Sequence, residues 1–434
     1  MKTIRLGCLA AVLALVVAVA LPSRLALWRS ALRPPSEPDL SRVPPSVALV
    51  TVVLGGFRGL VADLLWFRAS SLQDEGRFLE IVPLADWITK LEPTFPEVWA
   101  FHAWNMAYNI SALFPDPKDR WRWIGNGRRI LQEEALRYHP ASPRLHAELS
   151  WLYYHKIGGY SDPAADRYLA LFFEEIASQL PDGQMETAPA DAVARFIERY
   201  RLRPETLNTL SAQWGPFDWR LPETHALYWA FEGVRVAGAP PDIRADRMVY
   251  LALIASFLRG RAALARPGAP PIRGLRPELA EAVMDRLSEM ARRYPDPEYR
   301  WDEVAAFFLK RASFYLYCYG YDELALRFFE RARQAGSATE PSIEAMAVQA
   351  AESAAMAGSD YWDQAMALFT EAARRRQHGD EAGGLRCERM GRLFYEGVRK
   401  RLLDMGVASL PSTDALVVEG ERLVRGDERQ ENRP

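Results

Sequence analysis

Three cysteines in 434 residues are too few for a disulfide framework. Cys8 lies in an apolar N-terminal run, which leaves only a Cys318–Cys387 bridge open. The six histidines (His102, His139, His146, His155, His225 and His378) form no H-x-x-x-H or HExxH pair, and no C-x-x-C exists. Metal-ligand spacing is therefore missing. Also missing are a G-x-S-x-G elbow, a Walker A loop, a dinucleotide fingerprint and the C-x-x-C-H of haem attachment. No catalytic residue, cofactor or metal ligand is assigned on these grounds. A net charge of −2 gives no global field towards nucleic acid, and no nucleic-acid partner is expected. Strand signals are nearly absent.

What the chain does have is a strong N-terminal apolar signal. Lys2 and Arg5 precede an unbroken run from Leu6 to Leu21, which Leu25, Leu27 and Trp28 extend. Residues 1–28 read as a signal anchor that enters the membrane through residues 6–28, close to the ~20 residues a spanning helix needs, with a signal cleaved after Ala18-Val19-Ala20 and a buried helix as the alternatives. Residues 29–45 form a linker kept extended by Pro34, Pro35, Pro38, Pro44 and Pro45. A large body behind a signal-like segment implies one pass through the cytoplasmic membrane, with the body on the outer, periplasmic side. Ser46 to Arg68 is apolar again, but Arg58 and Asp63 are costly inside a bilayer. It reads as a buried first helix that begins near Phe57 and puts Leu60, Leu64 and Phe67 on one face. The alternative is a second span.

The stretch Gly76–Tyr108 organises the body. Phe78, Ile81, Leu84, Ala85, Ile88 and Leu91 fall at helical spacing. Pro93 closes that helix and Pro96 opens the next, in which Trp99, Ala103, Met106 and Ala107 share a face. Ala103 is small enough to let a neighbouring helix approach closely. The spacing recurs at Ala135–Pro140 with Leu149, Ser150 and Tyr153, and again over Glu303–Gly336. There a helix through Phe307, Ala312, Tyr315 and Leu316 turns at Gly320 into one with Ala325, Phe329 and Ala332. Ala365, Phe369 and Ala372 repeat that last pattern.

On these residues the chain resembles the tetratricopeptide repeat (TPR) family of helix-turn-helix units. It departs from the family pattern at Ile81, Ala85 and Ile88, and in having Pro83 inside a helix. The resemblance implies an all-α, right-handed TPR-like α-solenoid of antiparallel helix pairs, roughly 14 to 18 helices, preceded by one N-terminal transmembrane helix. The body divides into an N-terminal TPR-like block (46–180), an irregular helical middle (181–276), a C-terminal TPR-like block (277–426) and a charged, frayed tail (427–434). The Pro/Gly-rich segment Arg266–Arg276 separates the two sub-domains.

Thirteen tryptophans are many, and they cluster with tyrosines between residues 99 and 154. Ser111–Arg129 interrupts the repeat as an insertion rich in Trp and Arg. The candidate partner-binding surface is Trp104, Tyr108, Trp121, Trp123, Arg128 and Arg129. Since solenoid surfaces serve binding, the function expected is that of a non-enzymatic, membrane-anchored scaffold or adaptor. It would mediate protein–protein interaction in a bacterial envelope complex, with membrane or envelope proteins as partners. Two alternatives differ in class. One is an envelope enzyme or glycan-binding protein with its site, including His225, in the irregular middle. The other is a subunit of a transporter or secretion assembly.

Overall fold

The computed structural model describes residues 57–159, 162–238, 241–264, 269–353, 361–407 and 409–431. The anchor 1–28, the linker 29–45 and the first part of the 46–68 stretch lie outside them. Among the described residues no helix is long and apolar enough to cross a membrane.

The body is built of helices, and the first clear repeat folds as its spacing predicts. Helix α1 (Arg58–Asp74) turns at Gly76, whose φ of +71° suits glycine, into α2 (Phe78–Leu91). Ile81, Ala85, Ile88 and Leu91 of α2 are buried. Trp99 donates its indole N–H to the Pro93 carbonyl at 3.1 Å and so ties the closing turn to the next helix. That helix, α3 (Pro96–Trp104), runs on as a π-helical turn over Asn105–Ile110. Helix α4 (Pro117–Arg129) continues as a π turn over Ile130–Ala135, and α5 (Pro143–Trp151) as one over Leu152–Ile157. The Ser111–Arg129 insertion is thus corrected. Most of it is helix α4, started by Pro117 at its first turn and by the Asp116 carboxylate, which accepts from the Lys118 N–H at 2.8 Å.

Helices α6 (Ala165–Ala177), α7 (Ala190–Arg199) and α8 (Pro204–Trp214) follow, so α5 packs next on α9 (Pro222–Ala237), which pairs with α10 (Ile243–Arg259). The apolar helix expected over Val249–Leu264 stops at Arg259. Residues Arg261–Leu264 form β1, antiparallel to β2 (Ile272–Gly274). The C-terminal part comprises α11 (Ala280–Arg293), α12 (Trp301–Cys318), α13 (Asp322–Gln334), α14 (Ile343–Glu352), α15 (Tyr361–Gln377), α16 (Glu381–Asp404) and α17 (Thr413–Glu431). Helix α17 runs into the tail expected to fray. The second repeat is the pair α12–α13, turning at Gly320 with φ +72°. Ala312, Tyr315, Leu316, Ala325, Phe329 and Ala332 are all buried there, as are Ala365, Phe369 and Ala372 of α15. Phe307 is the exception: it is exposed, and Phe308 takes the core position. Cys318 and Cys387 remain buried free thiols, with the Cys387 thiol 3.4 Å from the Cys318 carbonyl.

One expectation about α1 is overturned. Leu60, Leu64 and Phe67 are not buried; they are 59%, 63% and 80% exposed. The helix is apolar on two sides. Its small-residue stripe, Ala62 and Ala69 with Leu72, faces α2, and the bulkier stripe is left outside.

The Arg266–Arg276 segment links rather than only separates. Arg273 of β2 is fully buried and donates through Nε to Asp363 of α15 at 2.7 Å. Its Nη1 reaches Glu223 of α9 at 2.7 Å and the Gly158 carbonyl at the end of α5 at 3.0 Å.

Candidate functional site

The π turns set up the site. Each one turns a polar residue inward, where it meets a partner from another element. Asn105 donates to the Phe78 carbonyl at 3.2 Å, and Lys156 binds Asp162 at 2.8 Å. Gln132 donates to the Tyr200 carbonyl and lies 3.4 Å from the Tyr153 hydroxyl.

Around Gln132 the elements α4, α6 and α7 enclose an open cavity of about 820 Å³. Helix α4 contributes Gly125, Arg128 and Arg129, and the π turn after it Glu133. Glu175 comes from α6, with Ser178 and Gln179 just beyond it, and Arg195, Glu198 and Arg199 come from α7. Tyr200 and Arg201, on the exit from α7, close it. A second cavity of about 400 Å³ shares Gln132, Glu133 and Arg201 with the first, so the two adjoin and are described together as the cleft. Its further wall includes Arg137, Arg203, Glu232 and Arg235.

The floor of the cleft is a fixed ionic network. Arg128 donates to Glu175 at 2.8 Å, and the Tyr200 hydroxyl donates to the same carboxylate oxygen at 2.7 Å. Burial alone would raise the Glu175 carboxyl, but Arg128 and Tyr200 outweigh it and hold it below its ordinary value. Burial also pushes the Tyr153 phenol, beside this network, up to about 12. Nη1 of Arg128 is buried and has no hydrogen-bond partner. Above the floor, Arg129 pairs with Glu134, and Arg195 with Asp191 at 2.6 Å.

The six candidate residues divide. Arg128 and Arg129 line the cleft; none of the four aromatics does. Trp104 is 41% exposed and stacks on Tyr108 with ring centroids 3.9 Å apart. The Tyr108 hydroxyl lies 3.4 Å from His155 Nδ1. Trp121 stacks on Tyr168 and meets the edge of Phe172, against the core, while Trp123 stacks on Phe114.

Sequence reasoning missed the segment Glu198–Arg203, which supplies three of the cleft's arginines. Its signal is a period of two. Tyr200 and Leu202 are buried, whereas Arg199, Arg201 and Arg203 point out and are exposed. Arg201 has a φ of +53°, and Leu202 N–H reaches back to the Ile197 carbonyl at 2.9 Å. That is the left-handed position of a helix-ending motif where glycine is usual. A non-glycine residue there costs about 1 kcal/mol or more.

His225 is not part of a cleft. It is fully buried among Tyr153, Phe172, Phe196, Tyr200 and Trp219, and its Nε2 donates to the Trp219 carbonyl at 2.9 Å. Burial lowers its pKa to about 3 and that of His102 to about 4. The unfolded chain protonates both rings below about pH 6.5, while the folded protein keeps them neutral. The unfolded state therefore binds more protons in this window, and stability is lost as pH falls from about 6.5 towards those folded values. The expected slope is about 1.4 kcal/mol per pH unit for each ring. Urea titrations of wild type and His102→Gln between pH 6.5 and 5 check this, and equal slopes would refute it.

Among the described residues no three His, Cys, Asp or Glu side chains converge to hold a metal ion. Comparison of the chain with protein-family models, with curated proteins and with solved structures finds no match. Fold and site together define the class: a predominantly α-helical protein of many packed helices with an arginine-lined cleft across its N-terminal half.

Proposed function

We propose that this chain is a membrane-anchored scaffold that holds a protein partner in a bacterial envelope complex. In this reading residues 6–28 cross the cytoplasmic membrane once, and the body is a right-handed TPR-like solenoid on the outer side. The observation that carries it is the outer stripe of α1. Phe57, Leu60, Leu64 and Phe67 recur at helical spacing and are 70%, 59%, 63% and 80% exposed. A row of large apolar side chains left in water is the mark of a surface that another protein or the membrane region covers. It sits at the first described helix, directly after the apolar stretch that follows the linker, so a partner seated there lies next to the membrane.

The stripe makes no core contact, so Leu60→Ser/Leu64→Ser/Phe67→Ser is expected to leave thermal stability within a few degrees of wild type, since surface changes shift stability by about 0.5 kcal/mol or less. Affinity purification of the full chain from detergent-solubilised membranes tests the proposal. A reproducible stoichiometric partner with wild type, lost from the triple variant, supports it. Repeated recovery of wild type alone, or the same partner on both, counts against it.

A further inference from the structure

We infer that the arginine cleft between α4, α6 and α7 is a binding groove for an extended, Asp/Glu-rich segment of a protein partner. This rests on the scaffold reading but on a different surface and different residues. The first ground is charge. In a chain of net charge −2, the two joined cavities gather arginines against few carboxylates, and several are already committed to one another. Arg128 neutralises Glu175, whereas Arg199, Arg201 and Arg203 form no ion pair among the described residues. Around them Arg129 pairs with Glu134, Arg195 with Asp191 and Arg235 with Glu232, while Arg137 on the further wall forms no ion pair among the described residues either. Planar guanidinium groups suit carboxylates, which they bind through two parallel hydrogen bonds.

The second ground is backbone strain. Arg201 occupies a left-handed position that glycine would take at lower energy. Its side chain lies where the two cavities meet and lines both. A residue kept there against its local preference is explained if its guanidinium is needed at that junction.

The chemistry favours a peptide over other polyanions. The two cavities adjoin at Gln132, Glu133 and Arg201, so their arginines are presented side by side. Glu133, Glu198 and Glu232 interleave with the arginines and would repel a uniformly charged phosphate backbone. In a peptide, Glu133 and Glu198 accept backbone N–H groups while the arginines take the acidic side chains. Among the described residues that line the cleft, no exposed aromatic ring offers the stacking platform that single-stranded nucleic acid uses, since Tyr200, Tyr228 and Trp229 are buried.

Fluorescence anisotropy on the full chain in neutral detergent tests the inference. The probe is a labelled twelve-residue peptide of alternating Glu and Ser, with a Lys/Ser peptide as control. The acidic peptide is expected to bind with a dissociation constant below about 1 mM, weakening as salt rises. Arg199→Ser/Arg201→Gly/Arg203→Ser is expected to weaken binding by about tenfold or more. Arg201→Gly alone separates function from structure: it is expected to raise the melting temperature while weakening the peptide by about threefold. No binding at about 1 mM peptide, equal binding of the Lys/Ser peptide, or an Arg201→Gly protein that binds like wild type overturns the inference. So does displacement of the peptide by millimolar inorganic phosphate or by micelles doped with phosphatidylglycerol, which would assign the cleft to a small anion or to lipid headgroups. If the α1 variant loses its partner while the peptide fails, only the groove assignment falls. If the peptide binds and no partner is recovered, the scaffold reading fails on its own.

Discussion

Replacing Arg273 by Met is expected to destabilise the protein by about 3–5 kcal/mol, because it leaves buried carboxylates without their cation. Three parts of the chain depend on that one guanidinium. Asp363 belongs to α15, Glu223 to the start of α9, and Gly158 ends α5. Glu223 is 1% exposed and its second oxygen already lacks a partner, so little local water is on hand to replace the lost bonds. Arg259 lies 3.2 Å from Glu223 and softens the loss on that side, but Asp363 has no second ion-pair partner among the described residues. Arg273→Met/Glu223→Gln/Asp363→Asn is expected to recover a large part of the stability, since no uncompensated charge then stays buried. Urea denaturation of the three proteins checks this. A single variant within about 1 kcal/mol of wild type would show that the network carries no net stability.

The difference between what was legible in the sequence and what was not follows from the range of the interactions. Helix pairs are written locally. Gly76, Pro93 and the face of Ile81, Ala85 and Ile88 set α2, and Gly320 with Ala325, Phe329 and Ala332 sets α13. The arginine at position 273 gave no such sign, because a buried cation is identified only by the distant carboxylates that meet it. The π turns were hidden for a similar reason: each helix keeps its apolar period and changes pitch only where tertiary contacts draw Asn105, Gln132 or Lys156 inward. Leu60 and Phe67 show the opposite failure. A helical apolar face is a statement about periodicity, and it does not say which of two apolar stripes finds a neighbour. Of the candidate surface, the arginines are legible through their local clustering with Trp121 and Trp123. The alternation over residues 199–203 is a period of two that spans only the end of α7 and the exit from it, too short to mark a face by itself.

Gly125 and Gly127, two residues apart on α4, are expected to respond in opposite ways to the same substitution. A Cβ on Gly125 meets nothing within 4 Å and points towards the cleft. Gly125→Ala is therefore expected to stabilise the helix by up to about 1 kcal/mol, the propensity difference between the two residues. A Cβ on Gly127 would lie 2.7 Å from the Ala103 carbonyl oxygen and 3.0 Å from the Ala107 Cβ. Both neighbours belong to α3 and its π turn, and Ala103 is the small residue whose position promised a close helix approach. Helix backbone cannot give way there without shifting the π turns that carry Asn105 and Gln132. Gly127→Ala is expected to cost about 1–3 kcal/mol despite its better helix propensity, and Gly127→Leu more than that, enough to lose most of the folded protein. Because α4 also carries Arg128 and Arg129, the Gly127→Ala protein should bind the acidic peptide more weakly than Gly125→Ala does, even where both are folded. Urea midpoints for the two alanine variants decide the matter: equal midpoints would mean that the α3–α4 contact is looser than these distances require.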